Sequence, residues 1–433
     1  MRAPTFTRLA ALTVLVAASA EAQTIAITGG TVYPVSGPRI ENGTVLIRNG
    51  RIVAVGANVA IPAEAQRVDA TGKWVTPGFI NSATTLGLSE SGNPQFSGGY
   101  NDGSARGSNG IAAAFEAWKG LNPANTLFGP ARSEGVTSVL VGPGGGGMVR
   151  GKAALIDLVE ASTANAMVRK GPVVMVGVYG NPGSGQTNSR AEFWAKWREL
   201  FDDVKAYQTR RAAFESGNTR TFVATRGDLE ALVPVVAGQM PLALTVDRAS
   251  DILEALAFAR DYGVKLWLFD AAEAWMVARE IAAANVPVFT GAMNNIPGSF
   301  ASLGQRQENA ALLRAAGVSV ALIGNGPGDP DAFNVRNIRQ EAGNAVAYGM
   351  SWEDALRAIT LVPAELMGVS DRVGAIAVGR DANVVVWSGD PFEFASVAEQ
   401  VFVRGRVITT KSRQDLLTER YRTLPGRGYR PQP

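Results

Sequence analysis

Between Trp74 and Asn325 the chain repeats one pattern, a short apolar, often β-branched run followed by a longer segment with apolar positions at helical spacing. The runs are Trp74–Ile80, "TSVLVG" from Thr137, "VVMVGV" from Val173, "TFVAT" from Thr221, "PLALTV" from Pro241, "KLWLF" from Lys265, "VPVFTG" from Val286 and "SVALIGN" from Ser319. Strands that alternate with helices in this way make a parallel sheet with crossover helices. Eight of them fit a closed (β/α)8, TIM-like barrel of the α/β class. The helical segments carry their own boundaries. "SDILEALAFARDYG" opens with Ser250 as expected cap and stops at Gly263, and "SWEDALRAITLVPAELMG" opens with Ser351.

The two ends of the chain read differently. From Thr24 to Val75 short apolar runs alternate with turn signals, and Asn49-Gly50 between "TVLIR" and "RIVAVG" has the residue types of a two-residue hairpin turn. A similar block returns at Gly374–Pro391 and Val401–Ile408. These blocks predict a small β-sandwich composite domain built from both termini, residues 23–75 and 370–410, around a barrel at 76–369, with a solvated tail at 411–433. Residues 1–22 have the three parts of a signal peptide: Arg2 and Arg8, an apolar stretch Leu9–Ala20, and small residues up to a cleavage point near Ala22. The apolar stretch is too short to span a bilayer. The expected location is the periplasm or the exterior, with no membrane attachment after cleavage.

Composition excludes several chemistries. The chain has no cysteine, which removes disulfides, thiolate metal sites and cysteine nucleophiles, and no histidine in 433 residues. A formal charge of +3 without a basic, aromatic-interleaved stripe gives no footing for nucleic acid. The stretch "GPGGGGMVRGKA" contains a Walker-like Gly146, Gly151 and Lys152, but Ala153 stands where the magnesium-holding hydroxyl would be, so it is expected to be a loop over the barrel mouth. Ser89–Pro130, rich in Gly, Ser and Asn, reads as a second such loop.

"VDATGKWVTPGFINSATT" (Val68–Thr85) resembles the first barrel strand of the amidohydrolase superfamily, in particular its imidazolonepropionase-like members, where the strand ends in Asp-Ala-His-Thr-His-Leu. "GAIAVGRDANVVVW" from Gly374 resembles that family's closing signature, with Asn383 in place of its second Asp. The resemblance implies a site at the C-terminal strand ends, with zinc or another divalent metal held by histidines. At the matching positions stand Ala83 and Thr85 after the first strand, Thr245 after the fifth and Phe269 after the sixth, and Asn325 replaces the catalytic Asp after the eighth. No lysine lies between Lys205 and Lys265 to serve as a bridging carbamate.

Zinc takes imidazole, thiolate or carboxylate ligands, and hydrolysis of this kind uses the cation to polarise the carbonyl and acidify a water. Alanine and phenylalanine donate nothing, and threonine offers a neutral hydroxyl. The expectation is therefore no metal, no cofactor and a non-catalytic subunit or regulator, with an intact amidohydrolase paralogue or a second copy as partner. Two alternatives stand beside it. One is a C–N hydrolase (acting on bonds other than peptide bonds) that uses pocket carboxylates, with Asp247, Asp270, Asp329 and Asp331 as candidates. The other is a periplasmic binding protein that holds a small molecule in the emptied pocket.

Overall fold

A computed structural model describes residues 24–89, 102–179, 189–293, 296–324, 334–408 and 413–422. Its strands fall into two eight-stranded sheets. The terminal sheet contains β1 (Thr24–Val32), β2 (Ile40–Arg48), β3 (Arg51–Gly56), β4 (Gln66–Asp69) and β5 (Trp74–Pro77). It is completed by β14 (Val384–Trp387), β15 (Ala398–Val403) and β16 (Arg406–Val407). The barrel contains β6 (Phe79–Thr84), β7 (Val136–Val141), β8 (Val149–Asp157), β9 (Val168–Val178), β10 (Leu242–Val246), β11 (Leu266–Asp270), β12 (Val288–Thr290) and β13 (Val320–Leu322). Its strands pair in chain order, and β13 lies beside β6, so the ring is nearly closed.

The eight-stranded barrel with a separate sheet domain is the expected architecture, but its membership differs. Residues 221–225 form no strand. Arg220 pairs with Asp203, the Asp203 carboxylate accepts the Val223 N–H at 2.8 Å, and Thr225 caps the helix Arg226–Val236. A side chain thus satisfies backbone that a ladder would otherwise have claimed. The missing place is filled by β8, from within the glycine-rich stretch expected to be loop. The connection from β7, residues 142–148, is too short for a parallel crossover, so β8 runs antiparallel to both β7 and β9. Among the described residues, segment 102–116 docks along β8: the Ala112 and Lys152 N–H groups donate to the Val149 and Phe115 carbonyls at 2.8 Å each.

The expected opening strand is likewise two. β5 pairs with β14 in the terminal sheet, and β6 pairs with β7 in the barrel. The break falls at Gly78, where an added Cβ would lie 2.1 Å from the Thr137 methyl, so the chain crosses between sheets at the one residue with no side chain to place. The Asn49-Gly50 turn is present, with both residues at positive φ. Ser351 caps its helix by accepting the Asp354 N–H, and Gly263 ends the helix Ala249–Tyr262 in the left-handed region, as expected. Ser250 does not cap that helix; Arg248 takes the position, and Glu273 accepts the Ala249 N–H at 3.0 Å. The segment expected to be tail carries a helix, Arg413–Tyr421.

Where the barrel floor meets the terminal sheet, charges are buried together. The fully buried Asp157 accepts from Arg169 at 2.5 and 2.9 Å, from Arg404 at 2.6 Å and from Ser138 at 2.7 Å. Arg169 also reaches Asp381 at 2.8 Å, and Arg372 holds Asp381 at 2.6 Å. Asn383 donates to Ser138 and accepts the Arg404 N–H. The two polar residues of the closing signature therefore clamp sheet to barrel.

Candidate functional site

The barrel interior is apolar, with Ile80, Leu140, Leu155, Ala243, Trp267, Phe289 and Ala321 packed together. Inward-facing positions nearer the C-terminal strand ends are half-buried and line the mouth. Thr245 pairs in register with Phe269, and Phe269 with Phe289. Ala83 and Phe269 both pack on the interior cluster. Thr85 stands past the end of β6 beside Gly144, whose added Cβ would come within 3.6 Å of the threonine methyl. Asn325 lies outside the described residues, as do Asp329 and Asp331.

The chemistry of this ring differs from a metal shell. The Phe269 ring stacks on Phe289 with centroids 4.4 Å apart and planes 10° from parallel, and Phe289 in turn lies 5.1 Å from Trp267. An aromatic stack thus fills the strand end where an imidazole would be needed, and the neighbouring positions hold a methyl group and hydroxyls. Among the described residues no three acidic side chains converge. The side chains at these four strand-end positions do not fit a zinc donor set.

Two of the expected carboxylates sit at the mouth, and the structure shows what holds them. The Asp247 Oδ1 accepts the Ala272 N–H at 3.3 Å, and its carbonyl accepts the Glu273 N–H at 2.9 Å. Burial pushes its carboxyl up to about 6, with the Glu273 charge adding to the rise. Asp270 and Ala271 both have positive φ, 64° and 48°, a conformation costly for residues with a Cβ. The Asp270 carbonyl accepts the Thr290 hydroxyl at 2.8 Å, which fixes this elbow.

Two buried acids were not visible in the sequence. Glu273 ties three segments by accepting the Ala249 and Gly304 N–H groups at 3.0 and 2.9 Å. Glu341, on the helix Ile338–Ala347, accepts the Ala292 and Met293 N–H groups at 2.5 and 2.8 Å and so holds the loop after β12. Those two donors favour its charged form, yet burial outweighs them and pushes its carboxyl up to about 7.

A stability consequence follows from Glu341. Its ordinary value is 4.5, so between about 4.5 and 7 the folded state keeps a proton that the unfolded chain has released. The contribution is fully present below 4.5 and is lost as pH rises through 7, in total about 3 kcal/mol. Glu341→Gln, which stays neutral, is expected to match the wild type near pH 4.5 and to exceed it in stability at pH 8. Denaturant titrations at both pH values check this; equal stability differences at the two would remove Glu341 as the source.

The comparisons with known proteins agree with this architecture. Residues 240–410 match the model of the amidohydrolase family. An amidohydrolase of Thermotoga maritima MSB8 superposes with a TM-score of 0.79 at 29% identity, covering 89% of this chain and all of that one. Together these matches support a member of the amidohydrolase superfamily. Within it, the chain is imidazolonepropionase-like. The imidazolonepropionase of Acidiphilium cryptum is 27% identical over 380 residues, 82% of this chain and 89% of the relative. That of Maricaulis maris is 23% identical over 392 residues, 85% of this chain and 93% of the relative.

Proposed function

We propose that this chain is a non-catalytic member of the superfamily, exported through the signal peptide at residues 1–22, that works as a subunit or regulator. Its partner on this reading is an intact amidohydrolase or a second copy of itself. The observation that carries the proposal is the mouth itself: a chain without histidine places Ala83, Thr245 and the Phe269–Phe289 stack at the strand ends that the family's metal would need. Residues 1–22 lie outside the described residues, and among those described no helix is long and apolar enough to cross a membrane.

A second reading is favoured by Asp247. A carboxyl held near 6 at a strand end is poised for acid–base work at neutral pH, and it would serve a metal-free hydrolase of C–N bonds other than peptide bonds. One experiment separates the two. Mature protein is assayed with acyl-amide, cyclic-amide and imidazolone substrates beside an Asp247→Asn variant. No turnover above background in either protein is expected. Turnover that Asp247→Asn abolishes would replace the non-catalytic reading with the hydrolase.

A further inference from the structure

At the end of the barrel opposite the mouth, a cleft runs between the strand starts and the terminal sheet. Its cavity of about 500 Å³ is lined by five cationic side chains, Arg51, Arg169, Lys170, Arg372 and Arg404, against one carboxylate, Asp381. It continues past Asn49 and Gly50 into a second space of about 710 Å³ that adds Arg406 and one acid, Glu160. Two hairpin turns form the shared rim. Gly50 and Gly405 press together so closely that a Cβ on Gly405 would lie 2.4 Å from the Gly50 Cα, so this wall is made of backbone.

The positive charge of the first space is only partly answered. Three guanidiniums share two carboxylates: Arg169 spans Asp157 and Asp381, Arg404 holds Asp157, and Arg372 holds Asp381. Lys170 donates to a carbonyl, that of Met367, at 2.8 Å. Arg51 forms no side-chain hydrogen bond or ion pair among the described residues, and the Arg372 Nη1 and Arg404 Nη2 groups are likewise uncommitted there. Arg169 and Arg404 are explained by the clamp between sheet and barrel. Arg51 and Lys170 contribute nothing to that clamp, yet they line the same cavity.

We infer that this cleft binds a phosphate group. A dianion with several acceptor oxygens matches the excess charge, and uncommitted guanidinium N–H pairs suit it better than an isolated ammonium would. The backbone rim leaves room for the group's substituent to pass into the larger space. This site lies at the far end of the barrel and stands whether or not the mouth catalyses. The phosphate could belong to a soluble ester or to a lipid head group, and the chemistry of recognition is common to both.

The test is calorimetric titration of inorganic phosphate into the full mature chain at low ionic strength, compared with an Arg51→Gln/Lys170→Gln double variant. Neither side chain joins the buried network, so the variant is expected to melt with the wild type. Phosphate binding by the wild type, weakened at least ten-fold in the variant, is the expected result. No binding by the wild type, or equal binding by both proteins, overturns the inference. Co-sedimentation with phosphatidylglycerol vesicles, against phosphatidylcholine alone, assigns the source. Capture by the anionic vesicles that the variant loses supports the head group, and phosphate binding without capture supports the soluble ester.

Discussion

Replacing Asp157 by alanine is expected to cost the folded state roughly 3–5 kcal/mol, because it strips a buried carboxylate from cations that stay behind. Asp157 is fully buried, and the Arg169 side chain is 8% exposed. After the change Arg169 keeps Asp381 but loses two charge-assisted bonds, and Arg404 loses its carboxylate. In a chain of this size such a loss lowers the melting temperature by about 4–6 °C if unfolding is two-state. Ser138→Ala, which removes one neutral donor to the same carboxylate, is expected to cost about 1 kcal/mol. An Asp157→Ala/Arg169→Met chain should recover part of the loss, since replacing both members of a buried pair by apolar groups is often close to neutral. Calorimetric melting of the three variants checks this. A loss below about 1 kcal/mol for Asp157→Ala would mean that the clamp does not hold the sheet to the barrel.

The second large effect concerns the mouth. The variant Ala83→His, Thr85→His, Thr245→His, Phe269→His is expected to bind zinc at least 100-fold more tightly than the wild type. Thr245 and Phe269 are register partners on adjacent strands, and Ala83, on β6 elsewhere in the ring, packs on the interior cluster that Phe269 joins, so three of the four imidazoles start from strand ends around one interior. Structural zinc sites in small peptides are worth about 10–16 kcal/mol, and a third of that already gives a roughly 1000-fold gain. The substitution at Phe269 sacrifices the stack on Phe289. Loss of a buried phenylalanine costs up to about 3–5 kcal/mol, less at this half-buried position. Catalysis is not expected to return, because the partners that orient metal-bound imidazoles are each worth about 10–100-fold and none has been restored. Zinc titration of folded variant and wild type decides it. Equal affinities would mean that the side chains do not converge.

The barrel was readable because buried parallel strands are near-continuous apolar runs, and seven of its eight strands announced themselves that way. The two misreadings of barrel membership have physical causes. Residues 221–225 have strand composition, but Asp203 and Thr225 took up the local backbone. β8 has glycine, arginine and lysine at its start, and its strand character comes from pairing with β7 and β9 rather than from its own pattern. At the site, positions could be placed by resemblance while partners could not. Nothing near Glu341 in the chain marks it as the anchor of a loop 48 residues away. The left-handed backbone at Asp270 and Ala271 is equally silent, since neither residue type demands it.

The division of the terminal sheet between the two ends of the chain sets the order in which it can form. β5 finds its neighbour in β14, and the Trp387 indole meets the Thr76 hydroxyl across 311 residues of sequence. As the chain emerges from a ribosome, β1, β2 and β3 can associate at once, whereas one side of β5 waits for almost the whole barrel to be made. Closing so long a loop is entropically costly and slow, and until it closes β5 is an open edge able to pair with other chains. The molecule is therefore most exposed to misassembly late in its own synthesis. A message broken before residue 384 would yield a product that stays in that state.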